Sequence, residues 1–220
     1  MKKITNYFNR FLFLSAIVFI SFLTHGQGAA KIHETIDIVT IHPPVAEGFV
    51  SSEHAVGQNP QPGNALGVDV MVTKHNKGKN DKFPSFYKND GKKNEDWYSW
   101  EVTLLAPFDA VVKMVKENPV TNEPGNRDNG MAGGIIFEST DKNNPVQVLY
   151  AHAKDIKVKQ GQVVNAGEEV AVIGNNAYSW FPHLHIGAVK GGLIKMLQGE
   201  VSPSDIEALQ IRFDLKKMGN

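Results

Sequence analysis

No cysteine occurs anywhere in the 220 residues. That removes disulfides, thiolate nucleophiles, thiolate metal sites and lipid attachment through an N-terminal cysteine. No G-x-S-x-G elbow is present, and Ser179 in NAYSWF has only general proximity in sequence to His183. Phosphate-loop and dinucleotide fingerprints are missing too, because GNRDNGMAGG lacks the lysine and the strand-to-helix context they require. Formal net charge is zero, with no basic stripe interleaved with aromatics, which argues against a nucleic-acid partner.

Lys2, Lys3 and Arg10 precede and flank the apolar run from Phe11, which ends in small residues. This pattern predicts a signal peptide over 1–28, cleaved near Gly26 or Gly28, with an uncleaved anchor as the alternative reading. The expectation is export, to the periplasm or outside the cell. With 41% apolar residues and about 190 residues after cleavage, one compact core suffices without disulfides.

Residues 29–63 read as an N-terminal extension. It holds a strand-like run that stops at Pro43-Pro44, followed by SSEHAVGQNPQPGN as a loop. Leu66 to Val72 (LGVDVMV) reads as a short strand with Asp69 inside an apolar run. An acid there needs a partner or a metal, unless the strand is an edge with one exposed face. Residues 73–100 form a polar insertion whose many aromatics either pin it to the body or wall a groove; Phe86, Tyr87, Trp97 and Trp100, with Tyr150, are the groove candidates. Beyond it VTLLAPF, AVVKMV, GGIIFES, VQVLYAHA, VKQGQVV, EEVAVIG and HLHIGAV read as short strands bounded by turns, an all-β body. The regularly spaced glycines over 158–174 supply turns; a biotinyl or lipoyl carrier would need a lysine clearly placed at a hairpin tip, and none is. In the tail, 201–220, Ser202-Pro203 and Asp205 predict a short helix with Ile206 and Leu209 facing the body.

His183 and His185 in PHLHIG lie two apart on a predicted strand, so they project from one face. His152 ends another strand candidate, in VLYAHA. Isolated His25, His33, His42, His54 and His75 read as surface residues.

GVDV at 67–70, APFDAVV at 106–112, LYAHA at 149–153, VKQGQVVNAGEEVAVIG at 158–174 and PHLHIG at 182–187, in this order and spacing, resemble the lysostaphin-type peptidoglycan metallopeptidases. The resemblance implies a two-layer, mostly antiparallel β domain, here over 64–200, and hydrolysis of peptide bonds in peptidoglycan. It further implies a Zn2+ ion held by Asp69 and His185, with His152 and His183 handling the attacking water and the developing charge. The remaining ligand of the family pattern, a histidine four residues before the aspartate, falls on Ala65. A methyl group cannot donate, so the site needs another ligand: Asn64, His183, or His75 or His54 folding back from a loop. Failing that, the domain would bind wall peptide or glycan, or a partner hydrolase, without cutting.

Overall fold

The computed structural model describes residues 36–55, 63–75, 83–143 and 145–218. The expected export segment, 1–28, lies outside the described residues. Twelve strands appear among them: β1 (Ile38–Ile41), β2 (Phe49–Glu53), β3 (Val68–Val72), β4 (Thr103–Leu105), β5 (Ala110–Lys116), β6 (Gly134–Ser139), β7 (Gln147–Ala151), β8 (Ala153–Lys154), β9 (Val163–Val164), β10 (Glu169–Ile173), β11 (Leu184–Val189) and β12 (Gln210–Phe213). One short helix, α1, covers Leu193–Leu197.

Seven strands form an antiparallel sheet in the order β2-β3-β11-β7-β6-β5-β9, and three form a second in the order β4-β10-β8. Strand alternation explains how they pack. Val68, Val70 and Val72 of β3, Ile135 and Phe137 of β6, and Leu184, Ile186 and Ala188 of β11 point into one core with Leu104 of β4 and Ala171 and Ile173 of β10. Intervening residues of the same strands face away: Ile136 and Val189 pack with Leu193 and Met196 of α1 and with Ile206. The middle of the large sheet is therefore covered on both faces, which is why β11 is buried from end to end. This is the expected two-layer, mostly antiparallel all-β fold.

Two local expectations change. Ser51, Ser52 and Glu53 belong to β2, paired with β3, although their polarity reads as loop; the strand is recruited by its neighbour's ladder and not by apolar alternation. The tail carries only a single 3-10 turn at Pro203–Asp205, after which Gln210–Phe213 runs parallel to β1; the short helix lies earlier, in α1. Ile206 and Leu209 do face the body, from the segment between that turn and the strand that follows.

Tyr150, expected in a groove, is fully buried instead. Its ring sits edge-on to Phe137, and its hydroxyl donates across the layers to the Leu105 carbonyl at 3.0 Å. Inward alternation along β7 puts it there, so it belongs to the core. Tyr150→Phe should lower unfolding free energy by about 1 kcal/mol through the lost inter-layer hydrogen bond, read by urea denaturation.

Candidate metal and catalytic centre

The site grows from one strand register. Asp69 of β3 stands directly opposite His185 of β11, both on the face turned away from the inter-layer core. His185 Nδ1 and Asp69 Oδ1 are 2.9 Å apart. On the other side of β3, Ser52 of β2 stands opposite Asp69, and the ladder continues one step past the strand, where the His54 amide donates to the Gly67 carbonyl at 2.8 Å. Two residues beyond Ser52, His54 shares its face. Its Nε2 lies 3.0 Å from Asp69 Oδ2, and its ring is 5.1 Å from that of His185.

A candidate for the ligand that Ala65 cannot supply thus lies one residue past the neighbouring strand. Ala65 sits in a turn, 63–66, in which Leu66 has a φ of 56°. That turn crosses β11 at Gly187, where a Cβ would run into the Gly63 backbone. Asn64 is buried in the same turn, its carbonyl accepting from the Gly67 amide, and His75 is exposed; neither joins the group.

Among the described residues, His54, Asp69 and His185 offer three ligand atoms that all lie within 4.8 Å of one another. Two imidazoles and a carboxylate are the three-ligand set of a catalytic zinc with a fourth position open. The His185 and His54 nitrogens lie 2.9 and 3.0 Å from the two oxygens of Asp69, so both rings converge on the one carboxylate. Among the described residues, the outer nitrogens, His54 Nδ1 and His185 Nε2, are buried without a hydrogen-bond partner. Without an ion the inner nitrogens, His54 Nε2 and His185 Nδ1, donate to the Asp69 carboxylate; a bound ion would need each proton on the outer nitrogen instead, a tautomer that no described contact blocks. The residues fit the ion that the family resemblance implies.

Asp69 is ionised here. Burial would raise its pKa, but the His185 hydrogen bond, electrostatic attraction toward the His183 and His185 rings and the His54 hydrogen bond together hold it well below the usual carboxylate range.

His152 and His183 complete the cluster, with ring centres 4.8 Å apart. His183 Nδ1 donates to the Phe181 carbonyl at 2.8 Å and has Ser179 Oγ at 3.3 Å, while its Nε2 is 3.7 Å from Asp69 Oδ1. His152 Nδ1 donates to the Asn176 carbonyl at 2.9 Å. A carbonyl can only accept, so both rings carry the proton on Nδ1 and leave Nε2 basic. Burial lowers both pKa values, further for His152, where His183 and His185 add to it; for His183 the Asp69 charge pulls the other way. Both are therefore neutral bases. His152 also sits at a φ of 64° between β7 and β8, a left-handed conformation unfavourable for a residue with a Cβ and held there by its surroundings.

Those surroundings are a buried amide network that sequence reading missed. Asn176 accepts from the Gly133 amide at 2.9 Å and donates to the Ala153 carbonyl at 3.0 Å, pinning the residue whose own carbonyl holds His152. Asn122 donates to the carbonyls of Ala177 and Ser179 at 2.8 and 2.9 Å. Asn94, from the insertion, donates to the Asn122 carbonyl at 2.7 Å and accepts from Asn175 at 2.9 Å. Read singly, these asparagines look like turn residues; only their burial marks them.

The aromatic insertion reaches the same place. Trp97 stacks on Phe181 at 4.7 Å and 7°, Tyr87 packs on Trp97, and Phe181 leans on His183. Trp97 is thus pinned and also adjoins the cluster. Trp100 lies instead under Lys154, and Phe86 is held through its carbonyl, which accepts from the Tyr98 amide.

Residues 101–196 match the profile described as peptidase family M23. No curated protein matches the sequence. Solved structures with distant likeness include a mutant form of the catalytic domain of the prophage-encoded M23 protein EnpA from Enterococcus faecalis, with 18% identity, 69% of this chain and 88% of that one covered, and a TM-score of 0.43. The catalytic domain of lysostaphin from Staphylococcus simulans is 18% identical over 73% of this chain and 86% of its own, with a TM-score of 0.40. A zinc-containing peptidase from Vibrio cholerae is 18% identical over 74% of this chain but only 37% of its own, with a TM-score of 0.35.

Long-range proton–nitrogen correlation spectra at pH 7.5 should show His152 and His183 as neutral Nδ1–H tautomers. A predominant Nε2–H form of either would contradict the carbonyl hydrogen bonds described above.

Proposed function

Taking the chain as a member of peptidase family M23 by its residues 101–196, we propose that it is an exported zinc endopeptidase that hydrolyses peptide bonds in peptidoglycan. The observation that carries the reading is the convergence of His54 with Asp69 and His185, which supplies a third ligand despite Ala65. The alternative of a wall-binding or regulatory module rested on the alanine alone, and His54 takes that reason away.

His54, Asp69 and His185 would hold the ion. Zinc bound there supplies Lewis-acid polarisation of the scissile carbonyl and a lowered pKa for water. The chain's own residues do the rest. His152 and His183 present basic Nε2 atoms, and one of them takes the proton of the attacking water. Their rings are too close for both to be charged at once, so a single proton is held and then passed to the leaving amine. The imidazolium formed at His183 faces Asp69 at 3.7 Å, which offsets the penalty of charging a buried ring. Asn176 and Ser179 keep both rings aimed while this happens. Trp97 and Phe181 cover the cluster on the His183 side.

Zinc titration of the purified protein should give one tightly held equivalent. His54→Ala should weaken binding by more than the roughly 10- to 100-fold typical of losing a mere supporting contact, and adding Ala65→His to that variant should restore much of it. On peptidoglycan, His152→Asn should keep zinc and fold, since asparagine tolerates the left-handed backbone, and lose turnover by about 10²- to 10⁴-fold. A His54→Ala protein that retains zinc at full affinity would overturn the ligand assignment.

A further inference from the structure

The chain carries a cation and two exposed rings, next to the cluster, that the reaction described above does not use. Arg127 lies with its guanidinium 3.5 Å from the ring centre of Tyr178 and 4.8 Å from that of Trp180. Tyr178 and Trp180 are 54% and 47% exposed. No carboxylate pairs with Arg127 among the described residues. The neighbouring Asp128 carboxylate is turned into its own loop, accepting from the Gly130 amide at 3.0 Å.

The two loops that carry these residues are fastened to each other. The Gly125 amide donates to the Trp180 carbonyl at 2.8 Å, the Asp128 amide to the Ala177 carbonyl at 3.0 Å, and Asn122 spans the gap between Ala177 and Ser179. Between Tyr178 and Trp180 sits Ser179, fully buried and 3.3 Å from His183 Nδ1. The exposed rings therefore flank the very residue that orients a catalytic histidine.

We infer that Arg127, stacked on Tyr178 and Trp180, is a subsite for a free carboxylate on the substrate peptide. The inference rests on the peptidase reading and narrows its substrate class to acidic peptides. Arg127 is exposed beside the two rings, and its planar guanidinium fork matches a carboxylate with two parallel hydrogen bonds. Three Cα steps separate Trp180 from His183, at most ~11 Å of chain.

The test is binding of acetyl-tetra-alanine with a free C-terminal carboxylate, and of its C-terminal amide, to the full protein, followed by chemical-shift titration. The wild type should prefer the carboxylate by about tenfold. R127Q should bind both peptides equally, and R127K, which keeps the charge without the fork, should recover only part of the preference. Equal or undetectable binding of the two peptides by the wild type, or an undiminished preference in R127Q, overturns the subsite. Because the readout is binding, it separates the two ideas. A preference without hydrolysis of peptidoglycan would sink the peptidase reading and leave the subsite, whereas hydrolysis without a preference would do the reverse.

Discussion

Everything at this site hangs on the pairing of β3 with β11, which sets Asp69 opposite His185. Sheet side chains alternate with a period of two, so a slip of one residue would send the aspartate and the histidine to opposite faces. Three valines on β3 and Leu184, Ile186 and Ala188 on β11 prevent that slip, because it would expose them while burying a carboxylate in the inter-layer core. The hydrophobic pattern thus does the positioning for the polar one. The same ladder, extended through β2, delivers His54 to the other oxygen of the same carboxylate.

That extension shows how a candidate ligand can come from a neighbouring strand's ladder. A metal responds to the positions of donor atoms, and adjacent strands lie only about 4.8 Å apart. A histidine just past β2 can therefore face the same carboxylate as one in the turn before β3, provided it lies on the same face. Ser52 and His54 satisfy that condition by being two apart. The turn that holds Ala65 is then free to close over β11, where Gly187 leaves it room.

The buried asparagines make the second half of the centre. Asn94, Asn122, Asn175 and Asn176 join three segments that are far apart in sequence, the insertion, the 117–133 loop and the 174–183 loop, into one hydrogen-bonded unit. Such a network is worth keeping buried only if nearly all its groups are paired, and it then fixes geometry more tightly than apolar packing would. Here the fixed quantities are the two carbonyls that set the tautomers of His152 and His183, along with the strained backbone of His152. The polar insertion is in this sense part of the site, through Asn94 and through Trp97 on Phe181.

By itself the sequence determined the all-β class, most of the strands, the shared face of His183 and His185, and Asp69 as an acid in need of a partner. These follow from local periodicity and from the penalty on an unpaired charge, both readable in a window of a few residues. Only the tertiary structure singled out His54 from the candidate ligands, set Asn64 and His75 apart from the group, and put Tyr150 in the core. It also decided that the tail ends in a strand. The physical reason is common to all four. Strand neighbours are set by ladders between distant segments, so β2 exists because β3 lies beside it, and β12 because β1 does. A histidine after two serines has no local mark that tells which carboxylate it will meet.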